Sequence, residues 1–130
     1  MLDVDVIGEE TAVVPPRAEI ERLVGLALAS AGIDEGHVAV EFVDEARIAE
    51  LNAEHRGKAG PTDVLSFPID QDDEIGLPSA LRELGDIVIC PQYTEDLREA
   101  VVHGALHLTG MDHETDDGEM LALQAEILSW

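Results

Sequence analysis

The 130-residue sequence is poor in positive charge, in cysteine and in aromatics, with seven Lys and Arg, one Cys and four Phe, Tyr or Trp. Set against 29 Asp and Glu, the basic residues leave a formal net charge of −22. A charge of that sign disfavours the usual electrostatic route to nucleic acid or an anionic membrane, because phosphate binding draws on clustered Lys and Arg. Binding to DNA is not expected. The single Cys90 excludes an intramolecular disulfide and fits a reducing cytoplasm. Phe42, Phe67, Tyr93 and Trp130 are too scattered to build a base-stacking platform. No apolar run approaches the roughly 18–20 residues of a membrane span, so no membrane association is expected. The start, Met1-Leu2-Asp3-Val4-Asp5, has neither the basic nor the apolar region of a secretory leader, and a cytoplasmic protein is expected.

What is present is ample apolar content, 45% of the residues, enough for one globular domain over residues 1–130 despite the charge. Leu2, Val4 and Val6 alternate with Asp3 and Asp5 as a half-buried strand does. After Pro15-Pro16, Ile20, Leu23, Val24, Ala27, Leu28 and Ala31 recur at helical spacing, and Gly32 suits a helix end. Val38, Val40 and Phe42 predict a second strand, and Asp44 caps a short helix buried through Ile48 and Leu51. From Asn52 to Thr62 the pattern stops, and a loop carrying Arg56 and Lys58 is expected. Val64-Leu65-Ser66-Phe67 and Gly85–Cys90 read as strands on either side of an acidic surface loop at residues 70–74. Thr94 is the expected cap of a helix running to about Thr109 and ended by Gly110. Asp116-x-x-Glu119 resembles the capping box of a last helix lined by Met120, Leu123, Ile127 and Leu128. The order β-α-β-α-β-β-α-α predicts an α+β domain in which a small mixed β-sheet of about four strands is covered by helices.

Three of the five histidines fall in the eleven residues from His103 to His113. His103 and His107 are one helical turn apart, so both rings project from the same face and can reach one ion. Gly110 lets the chain turn back and bring His113 to it. Three neutral imidazoles on Zn²⁺ leave a fourth position open, as in a catalytic rather than a structural site, and predict one zinc per chain. An isolated H-x-x-x-H arises easily by chance; the third His and the intervening Gly make the spacing H-x-x-x-H-x-x-G-x-x-H, the zincin-like metal-binding helix of the metzincin proteases with one change. Those proteases place Glu directly after the first His as general base, and Gly104 has no side chain to accept a proton. Peptide hydrolysis is thereby disfavoured relative to a reaction on RNA, in which a 2′-hydroxyl or water is the nucleophile and the metal stabilises phosphoryl charge. Asp112 and Glu114 flank His113, where each can orient a ligand, move a proton, or simply be solvated.

The window His103-Gly104-Ala105-Leu106-His107-Leu108-Thr109-Gly110-Met111-Asp112-His113 resembles H-G-x-L-H-L-x-G-x-D-H, the signature of the YbeY family of bacterial rRNA-maturation endoribonucleases, at every fixed place. Leu51-Asn52-x-x-x-Arg56 with Thr62–Pro68, and Leu84–Ile89, resemble the family's other characteristic stretches in the same order. The resemblance implies a metal-dependent, single-strand-specific endoribonuclease with zinc on His103, His107 and His113, acting in 16S rRNA 3′-end maturation and ribosome quality control. It implies single-stranded RNA, ribosomal RNA and the ribosome or small-subunit proteins as partners. The family's functional arginine maps onto Arg56, whose guanidinium can in any case hold phosphate bidentately at any working pH. His55 is read as a bystander. The alternatives from other classes are a metzincin-like metalloprotease and a non-enzymatic ribosome-associated factor in which metal only holds the fold.

An RNA enzyme with this charge needs a local remedy. Residues 61–130 carry 16 acidic residues and 2 basic, but Arg47, Arg56 and Lys58 lie within twelve positions of one another. They predict a small positive patch beside the metal on an otherwise RNA-repelling surface, with affinity supplied by a ribosomal or protein partner, or by salt that screens the repulsion.

Overall fold

In the computed structural model, residues 2–8, 15–33, 35–68, 83–109 and 118–129 are described. They form β1 (Leu2–Ile7), α1 (Arg17–Ala29), β2 (Gly36–Phe42), α2 (Glu45–Arg56), β3 (Val64–Pro68), β4 (Glu83–Ile89), a short 3-10 turn (Pro91–Tyr93), α3 (Leu97–Leu108) and α4 (Glu119–Leu128). This is the α+β order expected from the hydrophobic pattern. The four strands make one sheet in the order β1-β2-β4-β3. β1–β2 and β2–β4 are parallel, whereas β3 pairs antiparallel with β4 and lies at the edge. The sheet is therefore mixed, as predicted.

Strand alternation sorts the side chains onto two faces of unequal weight. On one face Val4, Val6, Val38, Val40, Phe42, Ile87 and Ile89 pack beneath α1, α3 and α4 in the main core. On the other, Leu65, Val88 and Cys90 pack with Val43 and with Ile48 and Leu51 of α2, and Phe67 lies against that smaller cluster. Val88 and Cys90 alternate with Ile87 and Ile89, so β4 divides the two cores. Cys90 is fully buried and burial raises its thiol pKa, which makes it an inert core residue. Glu19 of α1 accepts hydrogen bonds from Arg22 at 2.6 Å and from Arg98 of α3 at 3.2 Å, tying those helices together. The bond from Arg22, with the charges of both guanidiniums, holds the Glu19 carboxyl below its usual range against a smaller opposing effect of burial.

Three helix boundaries differ from the sequence expectation. α2 does not stop near Asn52 but runs to Arg56, and Gly57 closes it at φ +66°, a left-handed conformation that glycine adopts without strain. Arg56 is thus the last helical residue rather than a loop residue. α3 is capped by Asp96, whose carboxylate accepts from the backbone N–H of Arg98 and Glu99, while the Thr94 hydroxyl donates to the Cys90 carbonyl at 2.7 Å. α4 has Gly118 at its N-cap. Asp116, Gly110 and the acidic segment 70–74 lie outside the described residues. Asp44 caps α2 as expected, accepting from Arg47 N–H at 2.8 Å. Among the described residues no helix is long and apolar enough to cross a membrane.

Candidate active site

α3 lies across the sheet with Ala100, Val101, Val102, Ala105 and Leu106 buried and Asp96 capping its start. That packing fixes the helix rotation and turns His103 and His107, both half-buried, away from the sheet on one face. Their rings meet edge to face with centroids 4.8 Å apart and an interplanar angle of 74°. The two Nε2 atoms face each other at 3.2 Å. Two nitrogens held tetrahedrally by one zinc at 2.0–2.1 Å stand about 3.3 Å apart, so the spacing of the pair fits a shared ion. His113, Asp112 and Glu114 lie outside the described residues, and among those described no third His, Cys, Asp or Glu joins the pair.

His103 has a further contact that the hydrophobic pattern did not indicate. Its Nδ1 is 2.9 Å from Oε1 of Gln124 on α4. Gln124 sits in the buried stripe of that helix between Met120 and Ile127 and is itself only 7% exposed. The signal in the sequence was a polar residue one turn after Met120 on an otherwise apolar face, four residues being the spacing that shares a helix face.

Gly104 is explained by the close approach of α3 to the sheet. A Cβ there would stand 2.5 Å from Cγ2 of Ile87 and 3.3 Å from the Ser66 hydroxyl. The hydroxyl donates to the Gly104 carbonyl at 2.9 Å, stitching β3 to α3. The position occupied by the catalytic Glu in the protease pattern therefore points into the packed side chains of Ile87 and Ser66, with no room for a carboxylate.

The predicted arginine ends α2, the helix that packs on the other face of the sheet. His55, on the last turn of α2, rests edge-on against Phe67 with centroids 4.8 Å apart. It takes no part in the pair formed by His103 and His107. Phe67 and Ser66 are consecutive on β3, so the edge strand touches the arginine-bearing helix with one residue and the histidine-bearing helix with the next. α2, which ends at Arg56, and α3, which carries His103 and His107, thus contact adjacent residues of this edge strand from opposite faces of the sheet. Of the three residues of the expected positive patch, Arg47 forms an exposed pair with Glu50 at 3.2 Å, one helical turn away. Arg22 and Arg98 are engaged by Glu19, and Arg17 reaches the Val6 carbonyl at 3.3 Å. Arg56 and Lys58 are exposed and make no ion pair with any described residue. Asn52 anchors the loop between them and β3 by donating from Nδ2 to the Gly60 carbonyl at 2.9 Å.

The fold and the facing imidazoles together define a small α+β domain built around a zincin-like histidine helix that lacks the protease glutamate. A family model described as Endoribonuclease YbeY matches residues 9–130, and the chain belongs to that family. It is 38% identical over 146 residues to the endoribonuclease YbeY of Macrococcus caseolyticus, a match covering 99% of this chain and 95% of that protein. Among solved structures it is similar to TM1509 from Thermotoga maritima, with 27% identity, a TM-score of 0.51 and coverage of 97% of this chain and 87% of that one.

Proposed function

We propose that this member of the family is a zinc-dependent, single-strand-specific endoribonuclease of the cytoplasm, acting on the 3′ end of 16S rRNA and in ribosome quality control, with the ribosome or its small-subunit proteins as partner. The observation that carries the zinc reading is the 3.2 Å approach of His103 Nε2 to His107 Nε2. His103, His107 and His113 would hold the ion. Bound zinc supplies a Lewis acid that offsets charge developing on a phosphoryl oxygen.

The protein's own residues then divide the work. The Arg56 guanidinium grips a phosphate of the substrate strand on the far side of β3, so an RNA strand wrapped over that edge is held on both sides of the scissile linkage. Such wrapping needs a flexible backbone, which favours single strands over a duplex. Asp112 and Glu114 are the nearest acids in sequence to His113 and serve as candidates for orienting that ligand or moving a proton. The packing around Gly104 counts against the metalloprotease alternative, because the general base of that reaction has no place.

The test incubates wild type and His107→Ala with a labelled single-stranded 16S rRNA fragment and with casein, measuring metal content on the same samples. RNA cleavage is expected in wild type and should fall about a hundredfold or more in the variant and on chelation. Unchanged RNA cleavage in both would overturn the proposal, and casein turnover would restore the protease reading. Unfolding on chelation would instead favour a non-enzymatic factor held together by metal, since a domain with its own core keeps its fold without a catalytic ion.

A further inference from the structure

We infer that Gln124 is a positioning residue for His103: its buried amide carbonyl fixes the hydrogen of that imidazole on Nδ1 and so presents the Nε2 lone pair towards His107. The inference rests on the metal-site reading above and deepens it. Three observations carry it. Oε1 of Gln124 is 2.9 Å from His103 Nδ1. His103 Nε2 is the atom that faces His107 Nε2 at 3.2 Å. Gln124 is one of two buried polar residues among those described and occupies the core stripe of α4, where an apolar side chain would be the ordinary choice.

The chemistry follows from what each atom can do. An amide oxygen only accepts, so the ring nitrogen facing it must carry the hydrogen. A neutral imidazole has one such nitrogen, and Nε2 is then the lone-pair atom. In the metal-free chain the facing Nε2 of His107 is therefore the donor of that short contact. A neutral imidazole left to itself exchanges between two tautomers, only one of which presents Nε2 to an ion. The packing of Met120 and Ile127, both fully buried, holds α4 and with it the amide in place. A polar partner on the non-ligating nitrogen is what histidine ligands of metal centres use to set tautomer and ring angle. Because the partner is an amide and not a carboxylate, it orients the ring without adding negative charge beside the cation.

The experiment uses the full chain in wild type, Gln124→Met and Gln124→Glu forms. Methionine keeps the length and the burial but removes the acceptor, whereas glutamate retains it. In metal-free ¹⁵N-labelled protein, long-range ¹H–¹⁵N correlations should show a protonated Nδ1 and an unprotonated Nε2 for His103 in wild type. Gln124→Met should show a mixture of tautomers, and Gln124→Glu should keep the protonated Nδ1. Competition of each protein with a chromophoric chelator for Zn²⁺ should weaken binding by about 10–100-fold in Gln124→Met and restore most of it in Gln124→Glu. Thermal melts of the metal-free proteins check that all three remain folded. The inference is overturned if wild-type His103 carries its hydrogen on Nε2, or if Gln124→Met keeps the wild-type tautomer. It is equally overturned if Gln124→Met binds zinc within about threefold of wild type. Failure of wild type itself to bind zinc would count against the metal centre, while the tautomer measurement would still decide the role of Gln124.

Discussion

Among the described residues the two faces of the sheet each bury one side-chain amide, and the two amides are used differently. On the face carrying α1, α3 and α4, Gln124 is 7% exposed and spends its carbonyl on the ring of His103. On the face carrying α2, Asn52 is 4% exposed, and its Nδ2 holds the Gly60 carbonyl of the loop that follows Arg56. Its Oδ1 is buried and, among the described residues, without a hydrogen-bond partner. The larger core therefore orients a side chain, while the smaller one anchors backbone next to a cation it leaves exposed. The metal-ligand role proposed for His103 needs angular precision, which a thick core gives; the phosphate grip proposed for Arg56 needs reach, which an exposed helix end gives. Edge strand β3 joins the two, Ser66 bonding α3 and Phe67 contacting α2.

The comparison breaks most severely at Gly104. Replacing it by Glu, the residue of the protease pattern, drives a charged side chain into Ile87 and the Ser66 hydroxyl. Overpacking alone costs about 1–3 kcal/mol, and an unpaired buried carboxylate adds to it. The variant should unfold or melt far below wild type, losing metal binding with its fold, and chemical denaturation measures the loss. A stable Gly104→Glu protein that cleaves casein would show that the position faces open space after all.

Arg56→Ala comes next and sharpens the contrast between reach and precision. It should slow cleavage of single-stranded RNA by about 10–100-fold, the worth of a charge-assisted phosphate contact, with zinc affinity and melting temperature unchanged. Arg47→Ala, by contrast, should leave cleavage within about twofold, because that guanidinium already serves Glu50 on an exposed helix face. Equal losses in the two variants, measured as initial rates on one RNA, would restore the broader positive patch.

How much of this was legible in the sequence depends on whether a feature is carried by periodicity or by tertiary contact. The element order and the Asp44 cap follow from apolar spacing and local hydrogen bonding, and the structure has them in place. The end of α2 is not legible in the apolar pattern because residues 53–56 are exposed and, apart from Ala53, polar, so the apolar period stops at Leu51 although the helix continues. Gly57 did mark a boundary, as a helix cap rather than as loop. Thr94 and Asp96 are both good caps in isolation; the tie of Thr94 to the Cys90 carbonyl decides between them. The position of Arg47 in the chain groups it with Arg56 and Lys58, and only the structure shows its pair with Glu50 one turn away. That Gly104 has no side chain to act as a base is plain in the sequence, but only the packing against Ile87 explains why that residue is glycine. Gln124 could be suspected as a polar residue in an apolar stripe, yet its partner is 21 residues away and no local pattern names it.

The smallest expected effect is at Asn52, and its size follows from the unequal treatment of its two amide atoms. Asn52→Ala loses the bond to the Gly60 carbonyl, worth about 0.5–1.5 kcal/mol, but it also removes a buried acceptor whose desolvation was uncompensated. The Gly60 carbonyl, in an exposed loop, regains water. The two changes partly cancel, so the net loss should be about 1 kcal/mol or less, read as a small shift of the denaturant midpoint. Freed from its anchor, the segment from Lys58 to Thr62 should exchange its amide hydrogens faster, and RNA cleavage should fall only as far as Arg56 loses orientation. Zinc binding should stay as in wild type. A loss of several kcal/mol would mean that Asn52 Oδ1 has a partner in solution, and a loss of zinc affinity would mean that the two faces of the sheet are coupled through β3 rather than merely joined by it.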